Sequence, residues 1–276
     1  MSLWYCKKCD KTTNEMVCSK CGNGNERVEF CPRDTSQLQT ITTTNAKSLV
    51  KVFHNKGIFI TLEGGECCGK GTQIKLLAES LREAYPDKEV IEIFDPGSTY
   101  MGQEIRRLVK NVGGDDAPTT FCELFLFSAA RVQMVDKLIK PNLEKGNIVI
   151  SDRFIDSTTI YQGRMNKNSM EKINKINEVI DCYPDLTFIL DISEEVFMKR
   201  MENRKDQKFD RYDTKGIEFH RKVYEEYRNL HYEECDNRAL HLINSEGSPE
   251  DVNKVLFNLA SLHIDVATEY QTWTSA

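Results

Sequence analysis

Apolar residues recur along this chain in two alternating rhythms. Short runs rich in Ile, Val, Leu and Phe stand at 57–62, 89–94, 147–151, 186–191 and 239–243, and each suits a strand buried on both faces. Between them apolar positions fall three and four apart. One such stretch carries Ile74, Leu77, Ala78 and Leu81, a second runs over 101–109, and a third, from Thr119 to Leu143, carries Leu124, Phe127, Ala130, Met134 and Leu138. That spacing buries one face of a helix. A repeated strand, helix, strand order predicts an α/β fold, a five-stranded parallel sheet covered by helices on both faces, with ligands at the carboxyl ends of the strands. The rhythm is lost from Arg33 to Asn55, where Thr, Ser, Gln and Asn dominate. The expected organisation is therefore a small N-terminal segment at 1–32, a linker at 33–55, a main domain at 56–265 and a short tail at 266–276.

The first strand feeds a glycine-rich turn, Gly57–Thr72, reading GIFITLEGGECCGKGT. Gly64, Gly65 and Gly69 let the backbone come close to a polyphosphate. The N–H groups across Glu66, Cys67, Cys68, Gly69, Lys70, Gly71 and Thr72 can then face it, and the helix expected from Gln73 offers its positive end. Lys70 adds a mobile cation for the β- and γ-phosphates. Without the strand before and the helix after, Gly-x4-Gly-Lys would be an ordinary glycine turn. The residue after such a lysine normally carries a hydroxyl that ligates Mg²⁺, but here Gly71 stands there and Thr72 follows. Mg²⁺ is then expected to be held mainly by nucleotide phosphates and water, with an acidic group nearby.

A formal net charge of -6 argues against a nucleic-acid protein that works by bulk charge. There is no run of 18 apolar residues and no apolar signal core in MSLWYCKKC, so a soluble, cytoplasmic protein is expected, with no membrane partner. In a reducing compartment the ten cysteines point to metal binding or burial rather than disulfides. Cys6, Cys9, Cys18 and Cys21 form CxxC, eight residues, CxxC, a spacing that places four thiolates around a tetrahedral structural Zn²⁺ in a ribbon. Two unrelated thiol pairs or a redox pair are the alternatives. Cys31 is left over. The ribbon's partner is not written in the sequence.

Charged residues follow the strands. Glu63 and Glu66 come after the first, Asp95 after the second and Asp152-Arg153 after the third. An Asp there can hold Mg²⁺ or its waters, or cap the next helix, while an Arg can clamp a second phosphate.

At these residues the chain resembles the thymidylate kinase family, from about Gly57 to Leu262. LEGGECCGKGTQIKLLAESL is similar to its phosphate loop and first helix, and DPGSTYMGQEIRRLV to its acceptor-phosphate segment. LFLFSAARVQMVDKLIKPNLEKGNIVISDRFIDSTTIYQG is similar to its base pocket and DR motif, and DRYDTKGIEFHRKVYEEY to its lid and following helix. The resemblance implies an ATP-dependent kinase that uses Mg²⁺ to phosphorylate a deoxynucleoside monophosphate, dTMP or a 5-substituted dUMP. It also implies a homodimer. Phe127 would stack on the base, or else simply pack in the core. Arg131, one turn on and on the same helix face, would hydrogen-bond the base edge. Arg106 and Arg153 would hold the acceptor phosphate, with Asp95 beside them. Thr158 and Gln162 would line the base site, Tyr161 would lie under the sugar, and Glu66 would meet the 3′-hydroxyl. The segment from Asn244 to Pro249 would lie near the donor adenine. Lys70, Asp152 and Arg153 would act on the transferring phosphoryl group.

Two departures stand out. Phe94-Asp95-Pro96 occupies the place of Arg-Glu-Pro or Arg-Phe-Pro, so one phosphate-clamping arginine is missing. Cys67 stands where some members carry a catalytic arginine, a role that lid residues such as Arg204 and Arg211 could fill if they are more than a surface charge run. An adenylate or cytidylate kinase shares GKGTQ but not the Phe127, Arg131 and DRFIDSTTIYQG set. A GTPase would need Asn-Lys-x-Asp, which is absent. A non-catalytic adaptor that pairs the ribbon with a nucleotide-binding domain is the third alternative.

Overall fold

A computed structural model describes residues 57–111, 114–166, 170–203, 212, 215–233 and 239–274, together with three short N-terminal strands. The chain divides into two compact units, residues 1–54 with 265–276, and residues 55–264. In the first, β1 (Trp4–Cys6) pairs antiparallel with β2 (Lys11–Thr13) and with β3 (Glu26–Arg27). Cys6 closes β1, whereas Cys9, Cys18, Cys21 and Cys31 lie outside the described residues, as do Arg204 and Arg211.

The second unit is built on five parallel strands, β4 (Ile58–Gly64), β5 (Val90–Phe94), β6 (Ile148–Asp152), β7 (Leu186–Asp191) and β8 (Ala239–Asn244), in the order β5-β6-β4-β7-β8. All seven residues of β4 are buried, as befits a central parallel strand led by Ile58, Phe59 and Ile60. Helices α1 (Lys70–Ala84), α2 (Tyr100–Asn111), α3 (Thr120–Met134), α4 (Lys140–Glu144), α5 (Ile155–Thr158), α6 (Met170–Ile180), α7 (Glu194–Glu202), α8 (Ile217–Glu233) and α9 (Pro249–Thr274) complete the order. Phe59 and Val149 share one core with Met134, Ile139, Leu143 and Phe154 from α3 to α5. Ile189 packs with Val223, Tyr227 and Leu230 of α8. The alternate sheet residues Ile60, Leu62, Ile150 and Phe188 are also wholly buried, so both faces are covered. Among the described residues no helix is long and apolar enough to cross a membrane.

Two differences from the expected elements have local causes. The first helix begins at Lys70 rather than Gln73, because Gly69 adopts a left-handed φ of 95° and caps it, which draws Lys70, Gly71 and Thr72 into the first turn. The single long helix expected over 119–143 is α3 and α4 joined by a π turn at Val135–Ile139. Pro141, with no N–H to give, stands in the first turn of α4, and the widened turn accommodates it.

The parallel register sets Leu62, Phe94 and Asp152 level with one another, since both Leu62 and Phe94 pair with Asp152. The residues that follow, Glu63 to Lys70, Asp95 and Arg153, therefore meet at one edge of the sheet.

Candidate functional site

The glycine-rich loop leaves β4 and closes on α1. Gly65 lies flat against Tyr224, where any Cβ would come within 2.6 Å of the ring. Cys67 at the apex has a φ of 62°, an uncommon backbone state for a side chain that is not glycine. Inside the loop, Lys70 Nζ donates to the carbonyls of Gly64 (3.0 Å) and Gly65 (2.7 Å), and the lysine is buried. From α7, Arg200 donates to Cys67 O (3.1 Å) and Ser245 O (2.8 Å), while Ser245 Oγ donates to Cys68 O (2.9 Å). Gln73 Nε2 reaches Pro249 O (2.9 Å). The 244–249 segment, expected near the donor adenine, is thus fastened to the loop and the start of α1.

Beside the loop opens a cavity of about 320 Å³. All eight residues expected to bind the acceptor line it: Asp95, Arg106, Phe127, Arg131, Arg153, Thr158, Tyr161 and Gln162, joined by Glu66 and Asp152. Thr158, Tyr161 and Gln162 reach it from the end of α5 and the π turn at Thr159–Arg164 that extends it. Phe127 lines the cavity and also packs against Ile105, Val109 and Ala130.

Arg131 is the most constrained of the set. Its Nε donates to Asp95 Oδ2 at 2.6 Å and its Nη2 to Phe154 O at 3.1 Å, while both partners of the ion pair are almost wholly buried. Burial pushes the Asp95 carboxyl up, and the Arg131 charge pulls it back. Arg131 Nη1 and Asp95 Oδ1 remain buried without a hydrogen-bond partner among the described residues, and so does Asp152 Oδ1. Arg153 holds a left-handed φ of 70°. Its Nη2 pairs with Glu66 at 2.6 Å, its Nη1 donates to Gly64 O at 3.1 Å, and its guanidinium lies 5.3 Å from the centre of the Tyr161 ring. Strained backbone held by several contacts is a common mark of a working site.

Glu63 does not do what its place after the first strand suggested. It ends up wholly buried, off the cavity, where its carboxylate accepts from Phe154 N (2.7 Å), Ser157 Oγ (2.7 Å) and Tyr227 Oη (2.9 Å). Burial above all, then Asp156, pushes this carboxyl up to about 7, against Arg153 and the Ser157 and Tyr227 hydrogen bonds. Its work is to hold the 153–157 turn in place. Ser157, Tyr212, Tyr224 and Tyr227 also escaped the sequence reading. Only Tyr224 and Tyr227 gave a signal, two aromatics three apart and so on one face of the helix.

What the arrangement can do follows from its unmet groups. A buried, unpartnered carboxylate oxygen at Asp152, level with the loop, suits a hydrated divalent cation. A planar cation with one nitrogen unmet, on the same helix face as an aromatic ring, suits the edge and face of a base. Arg106 and Arg153, which line the same cavity, suit a phosphate.

Known proteins agree with this outline. The family model described as thymidylate kinase matches residues 62–255. The thymidylate kinase of Maridesulfovibrio salexigens is 37% identical over 204 residues, which is 71% of this chain and 92% of that protein. That of Halothermothrix orenii is 37% identical over 206 residues, 74% of this chain and 96% of that protein. A crystal structure of thymidylate kinase from Ehrlichia chaffeensis superposes with a TM-score of 0.56 at 30% identity, covering 74% of this chain and 98% of that one.

Proposed function

This chain is a member of the thymidylate kinase family, and on that premise we propose that it transfers the γ-phosphoryl group of ATP to dTMP. The observation that carries the reading is Arg131, which lines the same cavity as Phe127, one turn away, and keeps its Nη1 buried without a hydrogen-bond partner among the described residues. Phe127 stacks on thymine and Arg131 donates to its edge. Thr158 and Gln162 complete the base site, and Tyr161 sits under the sugar where a 2′-hydroxyl would clash. Arg106 and Arg153 hold the acceptor phosphate so that one of its oxygens faces the γ-phosphorus in line. Glu66 accepts from the 3′-hydroxyl. On the donor side the loop N–H groups from Gly64 to Thr72 cradle the phosphates. Lys70 leaves the Gly64 and Gly65 carbonyls to follow the charge, and Arg204 and Arg211 close over it from the lid. Asp152 would hold Mg²⁺, and that ion would supply charge neutralisation for the transferring phosphoryl group.

The missing arginine at Phe94 supports a second acceptor, a 5-substituted dUMP, whose added contact at the base would make up for the lost phosphate ligand. We also read Cys6, Cys9, Cys18 and Cys21 as ligands of a structural Zn²⁺, on their spacing and on the antiparallel pairing of β1 with β2. One zinc per chain by elemental analysis is the expected result, and none in protein purified under reducing conditions would end that reading. A homodimer is supported by Phe121, Phe125 and Val132, exposed along α3. A coupled assay of ADP release across natural and 5-modified deoxynucleoside monophosphates tests the main proposal. dTMP should give the highest kcat/KM or stand second to a 5-modified dUMP, and preference for a purine or for cytidylate would overturn it.

A further inference from the structure

We propose that Phe94 is a positioning residue for the acceptor phosphate, its ring serving as the platform that sets the Arg106 guanidinium at the cavity. The inference rests on the kinase reading above and explains how the acceptor end can work at the position where the family writes arginine.

The sequence makes Phe94 look like a loss. It closes β5 level with Asp152, and the next residue, Asp95, turns inward to pair with Arg131. The Phe94 ring stays 42% exposed and lines the cavity. A ring in that place is either a passive replacement or a support for something else, and its surroundings favour support.

First, the turn beneath the ring is closed on itself. Phe94 N donates to Ser98 Oγ at 2.6 Å, and Ser98 Oγ donates back to Phe94 O at 3.0 Å. Gly97 has a φ of 143°, and a Cβ there would come within 2.0 Å of Phe94 Cε2, so the ring lies directly on the glycine backbone. Glycine at 97 is what leaves room for it. Second, Arg106 reaches back from α2 and lies with Cζ 5.5 Å from the centre of the Phe94 ring, while its Nη1 donates to Pro96 O at 3.0 Å. Contact with the ring and one fixed hydrogen bond together restrict the plane of the fork, and a guanidinium over an aromatic face is attracted there electrostatically. Third, the arrangement repeats in the cavity lining, where Arg153 lies 5.3 Å from the centre of the Tyr161 ring. The two arginines read as acceptor-phosphate ligands are each backed by an aromatic ring. In this chain a pre-set Arg106 does work that a second arginine would otherwise share.

A double-mutant cycle on dTMP phosphorylation decides the matter, with Phe94→Leu, Phe94→Trp, Arg106→Ala and Phe94→Leu/Arg106→Ala. Phe94→Leu should raise the KM for dTMP about tenfold, with the KM for ATP within about twofold of wild type, since a ring contact of this kind is equivalent to roughly that factor in affinity. Phe94→Trp should recover most of the loss. In the Arg106→Ala background, Phe94→Leu should add almost nothing, because the ring acts through the arginine. Full additivity would overturn the proposal, as would a leucine variant with wild-type KM, or a loss in both ring variants accompanied by equal falls in melting temperature. If the wild type prefers another acceptor, the dTMP reading fails, but the cycle runs unchanged on that acceptor because every monophosphate presents the same group. If the wild type turns over none, calorimetric titration of dTMP reads the same coupling in affinity.

Discussion

In the phosphate loop the charged group is already occupied, for Lys70 donates to the Gly64 and Gly65 carbonyls and Arg200 ties the apex to Ser245. In the acceptor cavity the reverse holds, since Arg131 Nη1, Asp95 Oδ1 and Asp152 Oδ1 are buried and unpartnered among the described residues. A buried polar atom left unmet costs about 1–3 kcal/mol, so a ligand that supplies the missing partners recovers that energy while a ligand that cannot is rejected. A loop whose groups bond one another must exchange those bonds for phosphate contacts and gains less per contact. On the proposed reading, the contrast would put selectivity on the acceptor side and, on the donor side, a cation that moves only when charge arrives.

Removing the moving cation should have the largest effect. Lys70→Met is expected to slow phosphoryl transfer at least about a thousandfold, near 4 kcal/mol of barrier. It should also cost some stability, because two loop carbonyls lose their donor. Single-turnover kinetics with excess enzyme isolates the chemical step. A loss under about tenfold would mean that the lysine only holds the loop shut, and the contrast between the two sides would fail.

Arg131→Met attacks the other side. It removes the proposed base-edge donor and leaves the Asp95 carboxylate buried without its ion pair, a change that typically costs about 3 kcal/mol or more. Unfolding in urea should show the loss. The kcat/KM values for dTMP, dUMP and dCMP should also draw together, which a purely structural loss would not bring about. Adding Asp95→Asn should restore part of the stability, since no uncompensated charge then remains, but none of the discrimination.

Much of this contrast was legible in the sequence, and what was not has physical reasons. The five strands, the loop and the DR pair are local patterns, written in residues near one another, and the resemblance carried Phe127, Arg131, Thr158, Tyr161 and Gln162 to the cavity they line. Long-range pairings were hidden. Nothing in FDPGST says that Asp95 bonds an arginine 36 residues away, or that the Phe94 ring lies beneath Arg106. Glu63 misled for the same reason. A glutamate at the carboxyl end of a strand reads as a group facing the site until Ser157 and Tyr227 are seen to fill its carboxylate, and Tyr227 is 164 residues distant.

Glu63 joins the two sides, since β4 leads from it into the loop while its carboxylate holds the turn that carries Arg153, and it should give the smallest of these effects and the most specific. Its carboxyl is pushed from 4.5 up to about 7, by burial first and then by Asp156, with Arg153, Ser157 and Tyr227 opposing. The folded chain therefore keeps a proton that the unfolded chain releases near pH 4.5. The associated stability is fully present below pH 4.5 and is lost as pH rises to about 7, at no more than about 1.4 kcal/mol per pH unit. Glu63→Gln is neutral throughout. Its amide cannot match the donors of Phe154 and Ser157, which imposes a constant penalty, but the variant lacks the slope. Urea unfolding of both proteins at half-unit steps from pH 4.5 to 8 should show the glutamine variant gaining on the wild type up to about pH 7 and running parallel above it. Parallel behaviour across the whole range would mean that the carboxyl stays charged in the fold, its burial outweighed by Arg153 and the hydrogen bonds, and that the fastening between loop and cavity is ionic throughout.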